Sequence, residues 1–371
     1  MKSIKIIVNY LPQYHVTKEN SKWWGDGFTD WIATKSAKPL FKNHIEPRVP
    51  LNENYYSLDN ADSIRWQARL AKKYGVYGFG MYHYWFSSKQ KLLYKPAEVL
   101  LKNTDIDINY MFIWDNGSWK RTWKKDKFAN DWAPKFDNKL DEKHDNGILA
   151  ELIYGNEVDW KIHFEYLLKF FRDKRYIKID NKPIFAFFQP QNDFETVKKM
   201  VNYWDKLARE NGFNGIICAT KENYKKYHLE YKIRYTPLSP EYFINKIKYK
   251  IKDIIAAKTG KIRFYNYDTC WKEILSNAKK SDEKTFLSGF VDFDDTPRRA
   301  NKGRVMKGAT PEKFGKYIEK LATIAREKNQ EYLFVTAWNE WAEGAYLEPD
   351  TVNGYAYLEQ LKMAIEKVNK S

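Results

Sequence analysis

Short apolar runs alternate with amphipathic stretches along most of this chain. Ile4 to Leu11 reads as a strand, and Ser63 to Tyr74 as an amphipathic helix leading into a strand at Val76 to Tyr82. Ile108 to Trp114 is a third strand. Trp160 to Phe171 is helical, and after Lys182-Pro183 a strand runs from Ile184 to Phe188. Phe194 to Asn211 is a helix stopped by Gly212, followed by a strand at Gly215 to Ala219. Leu287 to Phe293 is strand-like, Pro311 to Lys328 is a long helix, and Tyr332 to Trp338 is the last strand. Gly354 to Lys370 closes the chain as a helix, and a sixth strand falls somewhere between Lys232 and Asp268.

Strand then helix, repeated about eight times, means parallel strands joined by crossovers. Polar and aromatic residues gather just after the strands, at Gln13-Tyr14-His15, His83-Tyr84-Trp85, Asp115-Asn116, Asp294-Asp295 and Asn339-Glu340. Barrel enzymes build their sites at these carboxyl ends, so the expected fold is α/β, a (β/α)₈ TIM-type barrel with loop insertions. Residues 1–371 are read as one catalytic domain, with insertions at about 124–146 and 245–263. The second insertion carries Lys246, Lys248, Lys250, Lys252, Lys258, Lys261 and Arg263 against one acid, Asp253. A solvated helix face accounts for it more simply than a membrane-surface helix, because lysines at every second position make no clean stripe.

The 371 residues include 64 Lys plus Arg and 48 Asp plus Glu, a formal charge of +16, with 43% hydrophobic and 30% charged residues. That balance excludes a disordered, collagen-like or coiled-coil chain. Cys218 and Cys270 are far apart without metal-ligand spacing, no window is long and apolar enough to span a membrane, and the N-terminus has no secretory core. The expected location is cytoplasmic, with peripheral contact to an anionic membrane as an extension of the positive charge.

Aromatic content changes the picture most: 14 Trp, 27 Tyr and 22 Phe make up 17% of an otherwise hydrophilic chain. Trp23-Trp24, Tyr82-His83-Tyr84-Trp85 and Trp338-Asn339-Glu340-Trp341 mix rings with hydrogen-bonding groups, as sugars require with their apolar faces and hydroxyl rims. Bases also stack on aromatics, but a nucleic-acid binder would show steeply salt-dependent affinity, and no nucleic-acid partner is expected. In Trp338 to Gly344, Glu340 and Glu343 lie three apart, a spacing that puts two carboxylates on one side of a helical turn. Glycosidic chemistry needs an acid on the leaving oxygen and a second carboxylate opposite, and a partly dry pocket pushes their pKa values apart. The plain alternative is a pair of acids opening a helix.

Val291-Asp292-Phe293-Asp294 resembles the Asp-x-Asp motif by which many glycosyltransferases hold a divalent ion and a sugar nucleotide; a capped strand end explains it equally well. No metal and no cofactor are expected, and chelation should leave activity intact. His15 and His83 read as substrate hydrogen-bonders, with satisfied structural histidines as the alternative. Gly75, Gly78 and Gly80 do not form a dinucleotide fingerprint, and there is neither a phosphate-binding loop nor a Gly-x-Ser-x-Gly elbow.

Tyr10 to His15, Trp23-Trp24-Gly25, Gly27 to Trp31, Lys38 to Phe41, Tyr74 to Phe79, Tyr82 to Phe86, Tyr176 to Asp180, Asp295 to Arg299 and Trp338 to Pro349 together resemble the WbsX family. Its members are bacterial proteins encoded with O-antigen and capsule genes, and are similar to glycoside hydrolase family 99. The resemblance spans nearly the whole chain and implies a (β/α)₈ barrel acting on glycans. It implies that Glu343 is the general acid/base and that Glu340 assists the sugar 2-hydroxyl in attacking its own anomeric carbon, through a 1,2-anhydro intermediate. From the matching motifs come further expected substrate-binding residues: His15, Trp24, Asp30, Trp31, Tyr82, His83, Tyr84, Trp85, Trp114, Asp115 and Asn116. To these the later motifs add Asp294, Asp295, Arg298, Trp338, Asn339, Trp341 and Glu348, with Trp338 read as a sugar platform. One departure stands out: where the family shows Trp-Ala-Asn-Glu-Asn-Trp, this chain has Trp114-Asp115-Asn116-Gly117-Ser118-Trp119, without the Glu and with an acid at Asp115.

The expected function is therefore glycosyl transfer at an anomeric centre during surface-polysaccharide assembly, on a glycan substrate that is lipid-linked. The alternatives are a retaining, endo-acting hydrolase of the family 99 type and a catalytically idle glycan-binding barrel.

Overall fold

The computed structural model describes residues 2–120, 148–188, 193–220, 229–234, 237, 251, 254–255, 259 and 261–371. The expected insertion at 124–146 lies outside the described residues, as does most of 245–263.

Eight parallel strands close on themselves. They are β1 (Lys5–Tyr10), β2 (Val76–Ser87), β3 (Asn109–Trp114), β4 (Lys182–Phe187), β5 (Ile217–Thr220), β6 (Tyr231–Ile233), β7 (Thr285–Phe290) and β8 (Tyr332–Thr336). Each pairs in parallel with the next, and β8 pairs back onto β1 with Lys5 opposite Tyr332 and Val8 opposite Val335, which completes a (β/α)₈ barrel. The strands read as nearly continuous apolar runs because they are buried on both faces. In β4 and β8 all but the first residue of β4 are buried.

The surrounding helices are α1 (Ala61–Lys73), α2 (Lys95–Lys102), α3 (Glu157–Phe171), α4 (Phe194–Glu210), α5 (Tyr267–Lys280), α6 (Pro311–Glu327) and α7 (Ala356–Lys370). Side-chain oxygens start them: Asn60 accepts from the Asp62 N–H, Asn156 and Asp159 form a capping box, and Thr310 caps α6 ahead of Pro311. The large rings lock helix to barrel. On α5, Trp271 stacks between Phe290 of β7 (5.4 Å) and Tyr317 of α6 (5.3 Å). It occupies the space left by Gly289, whose missing Cβ would sit 2.5 Å from the Trp271 ring.

Three differences from the sequence reading bear on the site. The second strand runs on to Ser87 and folds back as a hairpin with Gln90–Leu92, so Tyr84 and Trp85 stand above the barrel on paired backbone. β8 stops at Thr336, and Asn339–Glu340 form a separate small antiparallel pair with Ala345–Tyr346. The sixth strand is three residues long and begins one residue before the expected window, too short for a hydrophobic period to mark.

Candidate functional site: a carboxylate cluster around Arg298

Beyond β8 the chain crosses the top of the barrel and is tied down on several sides. The Trp338 N–H donates to the Asn9 carbonyl at 2.7 Å. The Asn339 amide pairs with the backbone just past β1, accepting from the Leu11 N–H (2.8 Å) and donating to the Leu11 carbonyl (3.0 Å). Trp341–Glu343 then make one tight turn, ended by Gly344 at φ 60°. A Cβ at Gly344 would meet Arg48 Nη2 at 2.9 Å and Asp294 Cβ at 3.0 Å, so the position needs glycine on both counts. The Asp294 N–H donates to the Glu343 carbonyl at 2.6 Å and fixes the far side of the turn to the loop after β7.

At the centre lies Arg298, on the short helix Thr296–Arg299 that follows β7. Its Nη2 is 3.0 Å from each oxygen of Asp30, its Nη1 is 2.6 Å from Glu343 Oε1, and its Nη2 is 3.6 Å from Glu340 Oε2. The Tyr14 hydroxyl lies against both Asp30 (3.2 Å) and the Asn339 carbonyl, and accepts the Trp341 N–H. Three carboxylates thus share one guanidinium. Asp30 and Arg298 are buried, while the Glu343 side chain is 24% exposed and reaches the open side. Burial pushes the Glu340 carboxyl well above the usual range, and the neighbouring Glu343 charge pushes it further; Arg298 pulls only partly the other way. Burial also raises the Tyr84 hydroxyl, with Asp115 and Glu340 adding to it, so this phenol stays neutral beside the carboxylates.

The pocket residues expected from sequence thus divide. Asp30, Tyr84, Asp115, Arg298, Glu340 and Glu343 converge electrostatically. A second group packs against other protein side chains, with all but the half-buried Tyr82 buried. Glu348 accepts from the Tyr56 hydroxyl (2.8 Å), Gln67 (2.8 Å) and the Trp341 indole (2.7 Å), and burial moves its pKa up to about 7 against those bonds. Trp341 stacks on Tyr346 at 3.8 Å, and the Trp31 indole donates to the Tyr56 carbonyl. Trp24 packs on Phe28, Tyr82 meets Phe188 edge to face, and Asn116 donates to the Tyr154 hydroxyl.

Other expected residues are engaged within the protein. The His83 Nε2 is 2.8 Å from His163 Nε2, and burial moves its pKa down to about 3, so it packs as a neutral ring between β2 and α3. Trp85 stacks on that same His163 at 4.3 Å. Trp114 donates to the Trp85 carbonyl inside the wall, and Trp338, with no exposed surface, packs on Phe79 at 5.5 Å. His15, also buried, has Nδ1 3.0 Å from the Pro12 carbonyl.

The acids of the Asp-x-Asp stretch are paired within the protein. Asp292 meets Arg48 at 3.4 Å, Asp294 meets His44 at 2.7 Å and accepts from Thr296, and Asp295 is held by Arg304 (2.7 Å) and Arg299 (3.2 Å). His44, Glu46 and Asp294 offer ligand atoms within 4.8 Å of one another. Arg48 already lies among these acids, 3.3 Å from Glu46 and 3.9 Å from Asp294, so the set is not that of a divalent ion. Tyr14, His44, Arg48, Gln67 and His163 support the site, yet the sequence reading did not select them. Only Tyr14 sits in a marked motif, whereas His163 lies mid-helix, where nothing local distinguishes it.

Residues 6–361 match the family described as Glycosyltransferase WbsX. Two curated relatives, both called uncharacterized protein WxcX and from two strains of Xanthomonas campestris pv. campestris, are 27% identical over 98% of the chain. The chain spans about half the length of these relatives, 50% of each. Among solved structures, the GH99 endo-alpha-mannosidase from Bacteroides thetaiotaomicron superposes with a TM-score of 0.57 at 13% identity, covering 100% of this chain and 99% of that one. A glycoside hydrolase-like protein gives 0.59 at 13% identity, covering 98% and 94%. At these identities the likeness shows a shared barrel fold.

Proposed function

The chain belongs to the Glycosyltransferase WbsX family, and we propose that it transfers a glycosyl unit between glycans during assembly of a bacterial surface polysaccharide. The observation that carries this reading is the convergence of Asp30, Glu340 and Glu343 on Arg298 at the carboxyl ends of the barrel strands. Glu343, the carboxylate with an open side, donates its proton to the departing glycosidic oxygen. Glu340, deeper in the pocket, takes the proton from the sugar 2-hydroxyl as that oxygen closes on the anomeric carbon. The acceptor hydroxyl then attacks this carbon, giving its proton to Glu343, while Glu340 returns its own to the 2-oxygen. Configuration is retained and no bond to the enzyme forms. The route requires a suitably placed free 2-hydroxyl, as in mannose-type sugars, the class that the structural neighbour named an endo-alpha-mannosidase acts on.

Burial raises the Glu340 carboxyl, so its proton must be drawn off before it serves as a base. Arg298 is the group that can move it. A shift of the guanidinium from Glu343 (2.6 Å) toward Glu340 (3.6 Å) as the sugar enters favours the Glu340 anion and a protonated Glu343.

Hydrolysis, with water as the acceptor, is a second reading, supported by the barrel shared with a GH99 endo-alpha-mannosidase. Among the described residues of the cluster the cation is Arg298, already bridged to three carboxylates, which suits the neutral glycoside donor of both readings better than a sugar-nucleotide diphosphate. The test pairs manno-configured oligosaccharides, with and without a glycan acceptor, against nucleotide sugars with a polyprenyl-diphosphate glycan. A lengthened glycan is the expected product; shortened products alone make the chain a hydrolase, and no product from any substrate sinks both readings.

A further inference from the structure

Next to the carboxylate pocket, on the side of β7, stands a rim of different character. It consists of residues 38–45 and a parallel two-stranded pair, Arg263–Asn266 with Arg304–Lys307. Phe41 meets Phe264 edge to face at 5.0 Å, and the Lys307 ammonium lies 3.5 Å from the Phe41 ring centre and 4.9 Å from that of Phe264. Leu40, Ile45 and Phe264 are 37%, 52% and 39% exposed. Residues 38–45, 261–266 and 302–307 contain seven Lys or Arg and no acid, and Lys38, Lys42, Lys302 and Lys307 are exposed. Just upstream, the helical residues Ile251, Ile254 and Ile255 are also about half exposed.

The rim is joined rigidly to the reaction centre. Phe41 stacks on His44 at 4.0 Å, His44 Nε2 is 2.7 Å from Asp294, and the Asp294 N–H holds the Glu343 carbonyl at 2.6 Å. What faces the rim is therefore set at a fixed position relative to Glu343.

Exposed branched aliphatics beside cations do not suit a sugar, which needs open ring faces with carboxylate or amide acceptors; here the Lys307 ammonium already occupies the Phe41 face. Apolar side chains that insert at the headgroup level, ringed by lysines that meet anionic lipid, are the chemistry of a peripheral membrane contact. We propose that Leu40, Phe41, Ile45 and Phe264, with Lys38, Lys42, Lys302 and Lys307 around them, dock on an anionic bilayer. On the transfer reading above, on which this step rests, docking holds the pocket toward a lipid-linked glycan.

The test is co-sedimentation of the full chain with phosphatidylcholine vesicles, alone or with about a third phosphatidylglycerol. The wild type should sediment with the anionic vesicles and be released by salt. Ile45→Ser/Phe264→Ser and Lys302→Glu/Lys307→Glu should each partition about tenfold less. Met363→Ser, at an exposed position of α7, should match the wild type. Activity toward a water-soluble glycan should be unchanged in both rim variants, which also reports that they fold. Lack of wild-type binding, undiminished binding by both rim variants, or equal weakening by Met363→Ser would overturn the proposal. So would a change in the oligomeric size of the free protein with the rim variants, which would make this face a contact between copies. Vesicle binding without activity on any glycan would sink the transfer reading and leave the docking surface standing.

Discussion

Arg298 decides the electrostatics of the site, since a buried guanidinium shared by three carboxylates is stable only as a set. Removing it leaves buried charges unpaired, and Arg298→Ala should cost about 3–5 kcal/mol of stability, read as a lowered melting temperature. Arg298→Lys keeps the charge but loses the planar bridge. Because Arg298 draws the Glu340 pKa downward, weakening that pull raises it further. The ascending limb of the pH–rate profile should therefore move to higher pH in Arg298→Lys; an unmoved limb would remove Arg298 from the proton balance. Glu343→Gln should lower turnover about a thousandfold with sugar affinity within a few-fold, measured by single-turnover kinetics and calorimetry. A variant that keeps its turnover would end the acid/base assignment. The two glutamates were legible in sequence from spacing and flanking rings, and Arg298 through its Asp-Thr-Pro-Arg motif. The partners Tyr14, Arg48 and His44 were not read as partners, because each reaches its contact from another part of the chain.

Among the elements, the boundaries that mattered were those ending in a side-chain lock. The turn at Trp341–Glu343 is held by Asn339 on one side and the Asp294 N–H on the other. Glu340 and Glu343 both reach Arg298, but from a single turn that stops at Gly344 and does not continue as the helix that their spacing suggested. The aromatic residues follow another rule. Trp114, Trp338 and Trp341 adjoin polar motif residues, but rings that large are most often absorbed by the core, and here all three are buried in it. Trp271 carries the same lesson for α5. Trp271→Ala should lose about 3–5 kcal/mol in a denaturant titration, while Gly289→Ala should be destabilised by the clash with that ring. A Trp271→Ala barrel as stable as the wild type would mean the helix is held elsewhere.

For the molecule as a whole, pH is the simplest probe of the buried carboxyls. Burial raises both Glu46 and Glu348 to about 7. A carboxyl whose folded pKa lies above its unfolded value stabilises the fold most below the unfolded value, and that contribution is lost as pH rises through the folded one. At fixed ionic strength the melting temperature should accordingly fall between pH 5.5 and 8.5, and a flat or rising profile would contradict the burial of these groups. The sequence by itself determined the barrel and the identity of the two central glutamates. Alternating apolar runs and amphipathic helices are local patterns that suit one layered arrangement, and Glu340 and Glu343 are neighbours along the chain. Tertiary structure alone decided which expected residues gather around Arg298 and which pack into the core. It decided that burial raises the Glu340 carboxyl, and that Arg48 lies where an Asp-x-Asp motif would otherwise invite a cation. Those outcomes depend on burial and on charges brought together across the sequence, such as the 268 positions between Asp30 and Arg298. No local pattern encodes such a distance, whereas a closed barrel reduces it to a hydrogen bond.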